Sequence, residues 1–400
     1  MITRKLTDMP EAAEIIRRGG LIAVPTETVY GLAADATSEE AVRRIFEVKG
    51  RPENKPLSIL VGGAEDIGRY GVNAPKAAYA LAKRFWPGPL TIVLRSESAI
   101  PDIVRAGGET VGLRCPDHPL TLQLLRLAGV PLAAPSANPS DSPSPKNATE
   151  VLAYFDAMID GVIDGGECGI GTESTIVDLS RTPYSILRQG ALAETAVFAG
   201  IADAVRVIGM TGGSGAGKTT ALEVLRDMGA LSIDCDAVYH ELAENSEEML
   251  DEIGTRFPGV VENGALMRKR LGEIVFSDEQ ALLDLNAITH KYVTAEVNAR
   301  LTAWAIDGGT LAAIDAIALI ESGIAERCYA VVGVIADRET RIRRIMEREG
   351  IIEDYAEKRV NAQKSDAFFE ESCDYILRND GDLAAFVNSC KELFGAISKE

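Results

Sequence analysis

Two successive α/β units are what this sequence predicts, and three observations carry that expectation. The chain has 400 residues, two to three times the length of a typical single domain. Two segments each alternate strand-like apolar runs with helical patterns, and a polar stretch of little periodicity, 198–205, separates them. The charge is also uneven: residues 1–200 carry 20 basic and 24 acidic side chains, residues 201–400 carry 21 and 36. The boundary is placed in that stretch, giving units over 1–200 and 205–400.

The overall composition, 46% apolar and 25% charged, is that of a globular chain. A net charge of −19 argues against broad, non-specific nucleic-acid binding, and no DNA partner is expected. No apolar run reaches the roughly 18 residues of a membrane span, and the opening MITRKLTDMPEAAEIIRRGG is too charged for a signal peptide. A cytosolic protein without membrane association is therefore expected. The six cysteines, at least 17 positions apart and without a CxxC pair, read as free or buried thiols.

In the first half, DMPEAAEIIRRGG reads as a helix stopped by Gly19-Gly20, and LIAV as a strand ending at Pro25. Further strands are expected at 57–61, 90–94, 111–114, 131–134, 174–179 and 184–188, with helices near 38–48, 75–85 and 119–128. The loop ANPSDSPSPKNA, 137–148, has the turn chemistry of an irregular segment and is a candidate lid. In the second half, VRVIGM, a glycine-rich turn, KTTALEVLRDMG and LSID read as strand, loop, helix, strand. LAAID, YAVVGVIAD and YILRN are further strands of a mostly parallel sheet covered on both faces.

Gly212, Gly213, Ser214, Gly215, Ala216, Gly217, Lys218 and Thr219 match G-x-x-x-x-G-K-[ST] between a strand and a helix, with Thr220 following. Glycines turn backbone N–H groups onto phosphates, the helix N-terminus adds partial positive charge, Lys218 reaches the β/γ oxygens and Thr219 ligates Mg²⁺. An N-K-x-D base-recognition pattern is missing, which removes the main support for a GTPase. Asp234 and Asp236 stand at the carboxyl end of LSID, where open α/β sheets place ligands. One carboxylate there can orient Mg²⁺ and the other accept a proton from an attacking hydroxyl; two solvated loop acids are the plainer alternative. Arg341, Arg344 and Arg348 share one helix face, either as a solvated, ion-paired helix or as a lid over transferring phosphates.

The P-loop, DCD, NGALMRKRL with Arg268, His290, DAIALIES, and Arg344/Arg348 followed by RVNAQ and Asn379 together resemble dephospho-coenzyme A kinase over almost all of 205–398. The resemblance implies a P-loop kinase domain that transfers the ATP γ-phosphate to the 3′-hydroxyl of dephospho-coenzyme A. Asp236 would be the base, Lys218, Arg344 and Arg348 would act at the phosphates, and Asp234 with Thr219 would face Mg²⁺. Two departures stand out: Lys291 where the family has proline, and Asp315-Ala-Ile317-Ala318-Leu-Ile-Glu321 where it reads D-x-P-L-L-x-E. Both bear on acceptor packing more than on ATP chemistry.

From its residues alone, the first half supports no more than a small-anion site at strand ends: PTETVYG, KGRPENKP, GLRCP, APSAN, GTESTI and LRQG. His118, in CPDH, falls short of a zinc site and reads as a turn histidine. The same clusters resemble the YrdC-like threonylcarbamoyl-AMP synthases over roughly 5–195, with Lys49-Gly50-Arg51 and Ser136-Ala137-Asn138 matching the K-x-R and S-x-N signatures. The resemblance implies a twisted mixed-sheet α/β domain that converts L-threonine, bicarbonate and ATP to threonylcarbamoyl-AMP and pyrophosphate. The product would pass to a tRNA threonylcarbamoyl-transferase complex for modification of adenosine 37. Arg51, Lys55, Thr110, Ser136, Ser144 and Arg188 would contact ATP, with Lys49 and Asn138 completing the signatures. Thr28, Arg114, Ala134 and Ser174 would hold threonine, and Leu60 replaces a histidine found in some relatives. The alternative pair is a non-catalytic RNA-binding module and a kinase for another small hydroxyl acceptor, such as a nucleoside or shikimate.

Overall fold

Burial of β-branched and alanine-rich runs builds two separate sheets in the computed structural model, which describes residues 2–96, 100–316, 319–320 and 323–399. The chain divides into two compact units, Met1–Ala204 with Ile306–Gly308, and Val205–Ala305 with Gly309–Glu400. Ile317, Ala318 and Glu321 lie outside the described residues. Among the described residues, no helix is long and apolar enough to cross a membrane.

In the first unit the strands are β1 (Arg4–Leu6), β2 (Ile22–Val24), β3 (Gly31–Asp35), β4 (Ser58–Leu60), β5 (Leu90–Arg95), β6 (Thr110–Arg114), β7 (Leu132–Ala133), β8 (Gly161–Ile163), β9 (Thr175–Asp178) and β10 (Ser185–Arg188). They form one sheet in the order β1-β8-β2-β3-β7-β4-β6-β5-β9-β10. The sheet is mixed: β4 runs parallel to β6 and antiparallel to β7, and β5 runs parallel to β9 and antiparallel to β6. The expected strands are all present. The sequence reading did not pick out β1, β3 or β8.

The boundary stretch needs correcting. The helix Glu194–Ala202 runs through it, burying Val197, Gly200 and Ile201, and only 203–205 lies between that helix and the next strand. A side chain at Gly200 would come within 2.9 Å of both Leu81 and Phe85 of the helix Lys76–Phe85, so the segment is packed core rather than linker. Its apolar residues surround the helix instead of forming a stripe, which hid the periodicity. The 137–148 segment is irregular up to Asn147, as expected, but it is tied down. Tyr30 N–H donates to Pro145 O at 2.9 Å, Ser140 N–H to Lys49 O at 3.0 Å, and Cys168 N–H to Lys146 O at 2.8 Å.

In the second unit β11 (Arg206–Gly212), β12 (Leu231–Asp234), β15 (Leu311–Asp315), β16 (Ala330–Ile335) and β17 (Tyr375–Arg378) form an all-parallel sheet, ordered β12-β15-β11-β16-β17. A hairpin of β13 (Val261–Glu262) and β14 (Ala265–Leu266) stands apart. Every residue of β16 is buried, as both faces of a covered parallel sheet require. Its core joins Ile208, Met210, Val332 and Val334 of the sheet to Leu222 and Leu225 of the helix Lys218–Asp227, and to Phe386 and Phe394 of the helix Leu383–Lys399. The six cysteines are free thiols, with Cys115, Cys235 and Cys390 buried.

Candidate active sites

The carboxyl ends of β11, β12, β15 and β17 bring the chemistry of the second unit together. β11 ends in Gly212, and the loop that follows opens the helix Lys218–Asp227. Gly217 precedes that helix at φ 110°, and a side chain there would come within 2.2 Å of Asn379 Nδ2, so only glycine fits. Asn379 is buried and donates to Ala216 O at 2.9 Å. Lys218 Nζ rests on Gly212 O at 2.9 Å and lies 4.0 Å from Asp315 Oδ1. Thr219 is exposed at the start of the helix, with Thr220 beside it.

Of the three aligned arginines, two reach the loop. Arg341 is buried and donates to Ser214 O at 3.1 Å, and Arg344 donates to Gly215 O and to Asn379 Oδ1, each at 3.3 Å. Arg348, one turn further, pairs instead with Glu349 at 2.7 Å in solvent. The structure therefore divides between the two sequence readings of this helix. Arg341, which entered the sequence reading only as one of the aligned arginines, and Gln363, which entered it only as the last residue of RVNAQ, both belong to the loop's surroundings.

Asp234 and Asp236 also part company. Asp234 Oδ1 accepts the N–H groups of Asp236 at 2.9 Å and Ala237 at 3.1 Å, capping the helix Cys235–Asn245. Asp236 lines a cavity of about 270 Å³ with Tyr239, Asn286, Thr289 and His290. Burial lowers the pKa of His290, favouring its neutral form in this cavity. Lys291 points elsewhere, to Glu252 at 2.6 Å, so this departure from the kinase pattern does not line the cavity. Asp315 lies beside Asp234 in the β12–β15 register, and its buried Oδ1 has no hydrogen-bond partner. Burial pushes its pKa up, and Lys218 opposes that shift.

In the first unit, Arg51, Ser136, Arg114, Ala134, Ser174 and Arg188 line one cavity of about 160 Å³, together with Leu60. Arg188 donates to Ser174 O at 2.9 Å and to Ser174 Oγ at 3.1 Å, and Ser174 Oγ meets Thr91 Oγ1 at 2.8 Å. Arg114 Nη2 reaches Thr28 Oγ1 and Glu27 Oε1, both at 2.7 Å, while its buried Nε has no partner. Arg51 donates to the carbonyls of Lys55 at 3.3 Å and Pro56 at 3.0 Å, holding the turn before β4. Burial lowers the pKa of Arg51 and that of Arg188, where Glu173 opposes the shift and Arg114 adds to it; three cations thus line one cavity, with Glu27 paired to Arg114 and Glu173 near Arg188.

Six sequence candidates sit outside the lining: Lys49, Thr28, which touches Arg114, and four more. Lys55 is exposed, Thr110 begins β6, Ser144 Oγ donates to Glu173 Oε1 at 2.8 Å, and Asn138 donates to Pro139 O at 3.0 Å. Glu27, Thr91 and Glu173 are site groups that the sequence reading did not select; Glu27 and Glu173 lay inside its clusters, whereas Thr91 is hidden in an apolar strand. His118 immediately precedes the helix Pro119–Ala128, a helix-start position in keeping with the turn reading.

Lys49 is 3% exposed and donates to the carbonyls of Ser136 and Asn138. Burial, then the charge of Arg51, brings its pKa down to about 7. Between that value and an ordinary lysine near 10.5 the unfolded chain binds more protons, so stability rises with pH across this window. In urea unfolding of the first unit, the stability of wild type relative to Lys49→Met should increase from pH 7 to pH 10; a flat difference would show that Lys49 titrates normally.

Two family models match the chain: Sua5/YciO/YrdC, described as telomere recombination, over residues 14–190, and dephospho-CoA kinase over residues 206–385. The threonylcarbamoyl-AMP synthase of Pyrococcus abyssi is 49% identical over 181 residues, covering 45% of this chain and 53% of that protein. The chain thus spans about half the length of that relative. The threonylcarbamoyl-AMP synthase of Halorhodospira halophila is 34% identical over 167 residues, 42% of this chain and 87% of the relative. Among solved structures, the dephospho-CoA kinase from Campylobacter jejuni is 24% identical with a TM-score of 0.37, covering 48% of this chain and 97% of that one. By its first unit the chain belongs to the threonylcarbamoyl-AMP synthase family, and its second unit carries a dephospho-CoA kinase domain.

Proposed function

We propose that this is a bifunctional enzyme: residues 1–204 make threonylcarbamoyl-AMP and pyrophosphate from L-threonine, bicarbonate and ATP, and residues 205–400 phosphorylate the 3′-hydroxyl of dephospho-coenzyme A. The observation carrying the first activity is the convergence of Arg51, Arg114 and Arg188 on one cavity, with a buried Arg114 N–H left for a ligand. The amine of threonine attacks the carbon of bicarbonate and water leaves, and the resulting carbamate oxygen attacks the α-phosphorus as pyrophosphate leaves. Arg51 and Arg188 stabilise the charge that develops on the phosphates, while Arg114 and Thr28 take the amino-acid end. The threonylcarbamoyl product goes to a tRNA-modifying transferase, in the cytoplasm.

For the second activity the carrying observation is the complete P-loop at the carboxyl end of β11, in the same parallel sheet whose strand β12 leads directly to Asp236 and its cavity. Asp236 takes the proton of the acceptor hydroxyl, and Lys218, Arg341 and Arg344 gather charge at the phosphates. The Thr219 hydroxyl and the carboxylates of Asp234 and Asp315 offer the all-oxygen donor set that suits Mg²⁺, and Asp315 Oδ1, which accepts no hydrogen bond and has Lys218 at 4.0 Å, fits a nearby cation or its water. When bound, Mg²⁺ would neutralise phosphate charge. Among the described residues no cluster of three His, Cys, Asp or Glu forms a cage, in keeping with an ion held largely by phosphates.

The full chain should release pyrophosphate with threonine, bicarbonate and ATP, and ADP with dephospho-coenzyme A and ATP; absence of either product removes the corresponding half of the proposal. Arg51→Ala should reduce pyrophosphate release about 10- to 150-fold, from the roughly 1.5–3 kcal/mol of one charge-assisted hydrogen bond. ADP formation should be unchanged, and full synthase activity in the variant would exclude Arg51 from the site.

A further inference from the structure

All three polar groups of Ser214 are held by side chains from a distant stretch of sequence. Its N–H donates to Gln363 Oε1 at 2.9 Å, its Oγ meets Gln363 Nε2 at 2.7 Å, and its carbonyl accepts from Arg341 Nε at 3.1 Å. Arg341 Nη2 donates to the same Gln363 Oε1 at 2.6 Å, closing the network. The approach is close: a side chain at Gly213 would lie 2.1 Å from Arg341 Nη2 and 3.0 Å from Gln363 Oε1. Arg341 lies on the helix Arg338–Glu349 and Gln363 two residues beyond the end of the helix Glu353–Asn361, and the two helices share a small core of Ile342, Ile345, Ala356 and Val360.

A loop with glycine at 212, 213, 215 and 217 has much backbone freedom to lose when it closes on phosphates. We infer that Gln363 is a positioning residue for nucleotide binding, which fixes the P-loop at Ser214 before ATP arrives; this rests on reading the second unit as an ATP-using kinase. Gln363 acts through Ser214, and the pre-set loop removes an ordering cost that would otherwise weaken ATP binding. Because the loop shape is needed in the ground state and the transition state alike, the effect falls on KM for ATP rather than on kcat.

The test is a double-mutant cycle on the full chain, following ADP formation with dephospho-coenzyme A and checking fold by thermal unfolding. Gln363→Met, similar in length and without the carboxamide, should raise KM for ATP about tenfold with kcat within about twofold. Its effect should be clearly smaller in a Ser214→Ala background, where one bond of the network is already gone. An unchanged KM, a loss confined to kcat, or full additivity with Ser214→Ala would each overturn the inference. If Gln363→Met fails to fold, Gln363→Asn shortens the same side chain and answers the same question. A wild-type chain that forms no ADP would overturn the kinase reading itself, whereas active variants with wild-type KM would overturn only the role of Gln363. Pyrophosphate release by the first unit should stay constant throughout.

Discussion

Asp236→Asn is expected to slow ADP formation by about 10²–10⁴-fold, the usual contribution of a general base, while KM for ATP changes little. The structure sharpens the reason for choosing this carboxylate over its neighbour. Asp234 spends one oxygen on two backbone N–H groups at the start of a helix, whereas Asp236 lines the cavity shared with Tyr239 and His290. Asparagine at 234 preserves a good helix cap, so Asp234→Asn should fold normally and lose only charge near the phosphates. If Asp236→Asn turns over at the wild-type rate while Asp234→Asn does not, the two roles are exchanged. Normal turnover by both would move the search for the base to Asp315, whose buried Oδ1 accepts no hydrogen bond.

Lys218→Ala should reduce ADP formation by about 10²–10³-fold, comparable to losing one preorganised transition-state donor, and should leave pyrophosphate release untouched. In the structure the ammonium makes a hydrogen bond to the Gly212 carbonyl and lies 4.0 Å from Asp315. It is thus held beside the loop by two groups that a phosphate can replace. Removing it empties no apolar core, so thermal unfolding should change little while steady-state ADP formation falls. Wild-type turnover in this variant would take the P-loop out of the mechanism.

The second unit was legible because its signals are local. Long apolar runs marked the five strands of its parallel sheet, and the glycine-lysine-threonine spacing located the loop between β11 and its helix. What surrounds that loop was less legible: Gln363 meets Ser214 across 149 positions and Asn379 meets Ala216 across 163, and no periodicity encodes such separations. In the first unit the pattern missed β1, β3 and β8, and a helix that is apolar all round, Glu194–Ala202. Its site clusters were visible as strings of polar residues, but their convergence depends on the mixed sheet. Arg114 of β6 meets Glu27, 87 residues earlier, and Arg188 meets Ser174 across the β9–β10 turn.

The polarity of the parallel sheet carries a consequence for how such a unit can change over time. All five strands run the same way, so Gly212, Asp234, Asp315 and the Asn379 that follows β17 gather at one rim, while β16 itself is buried and apolar throughout. Packing and chemistry therefore occupy different stretches of the same strands. Residues such as Asn286, Thr289 and His290, which line the cavity beside Asp236 from a separate helix, can be exchanged without disturbing the sheet core. This arrangement leaves phosphate transfer in place while the identity of the acceptor is free to drift, a division of labour that favours inheritance of the reaction over inheritance of the substrate.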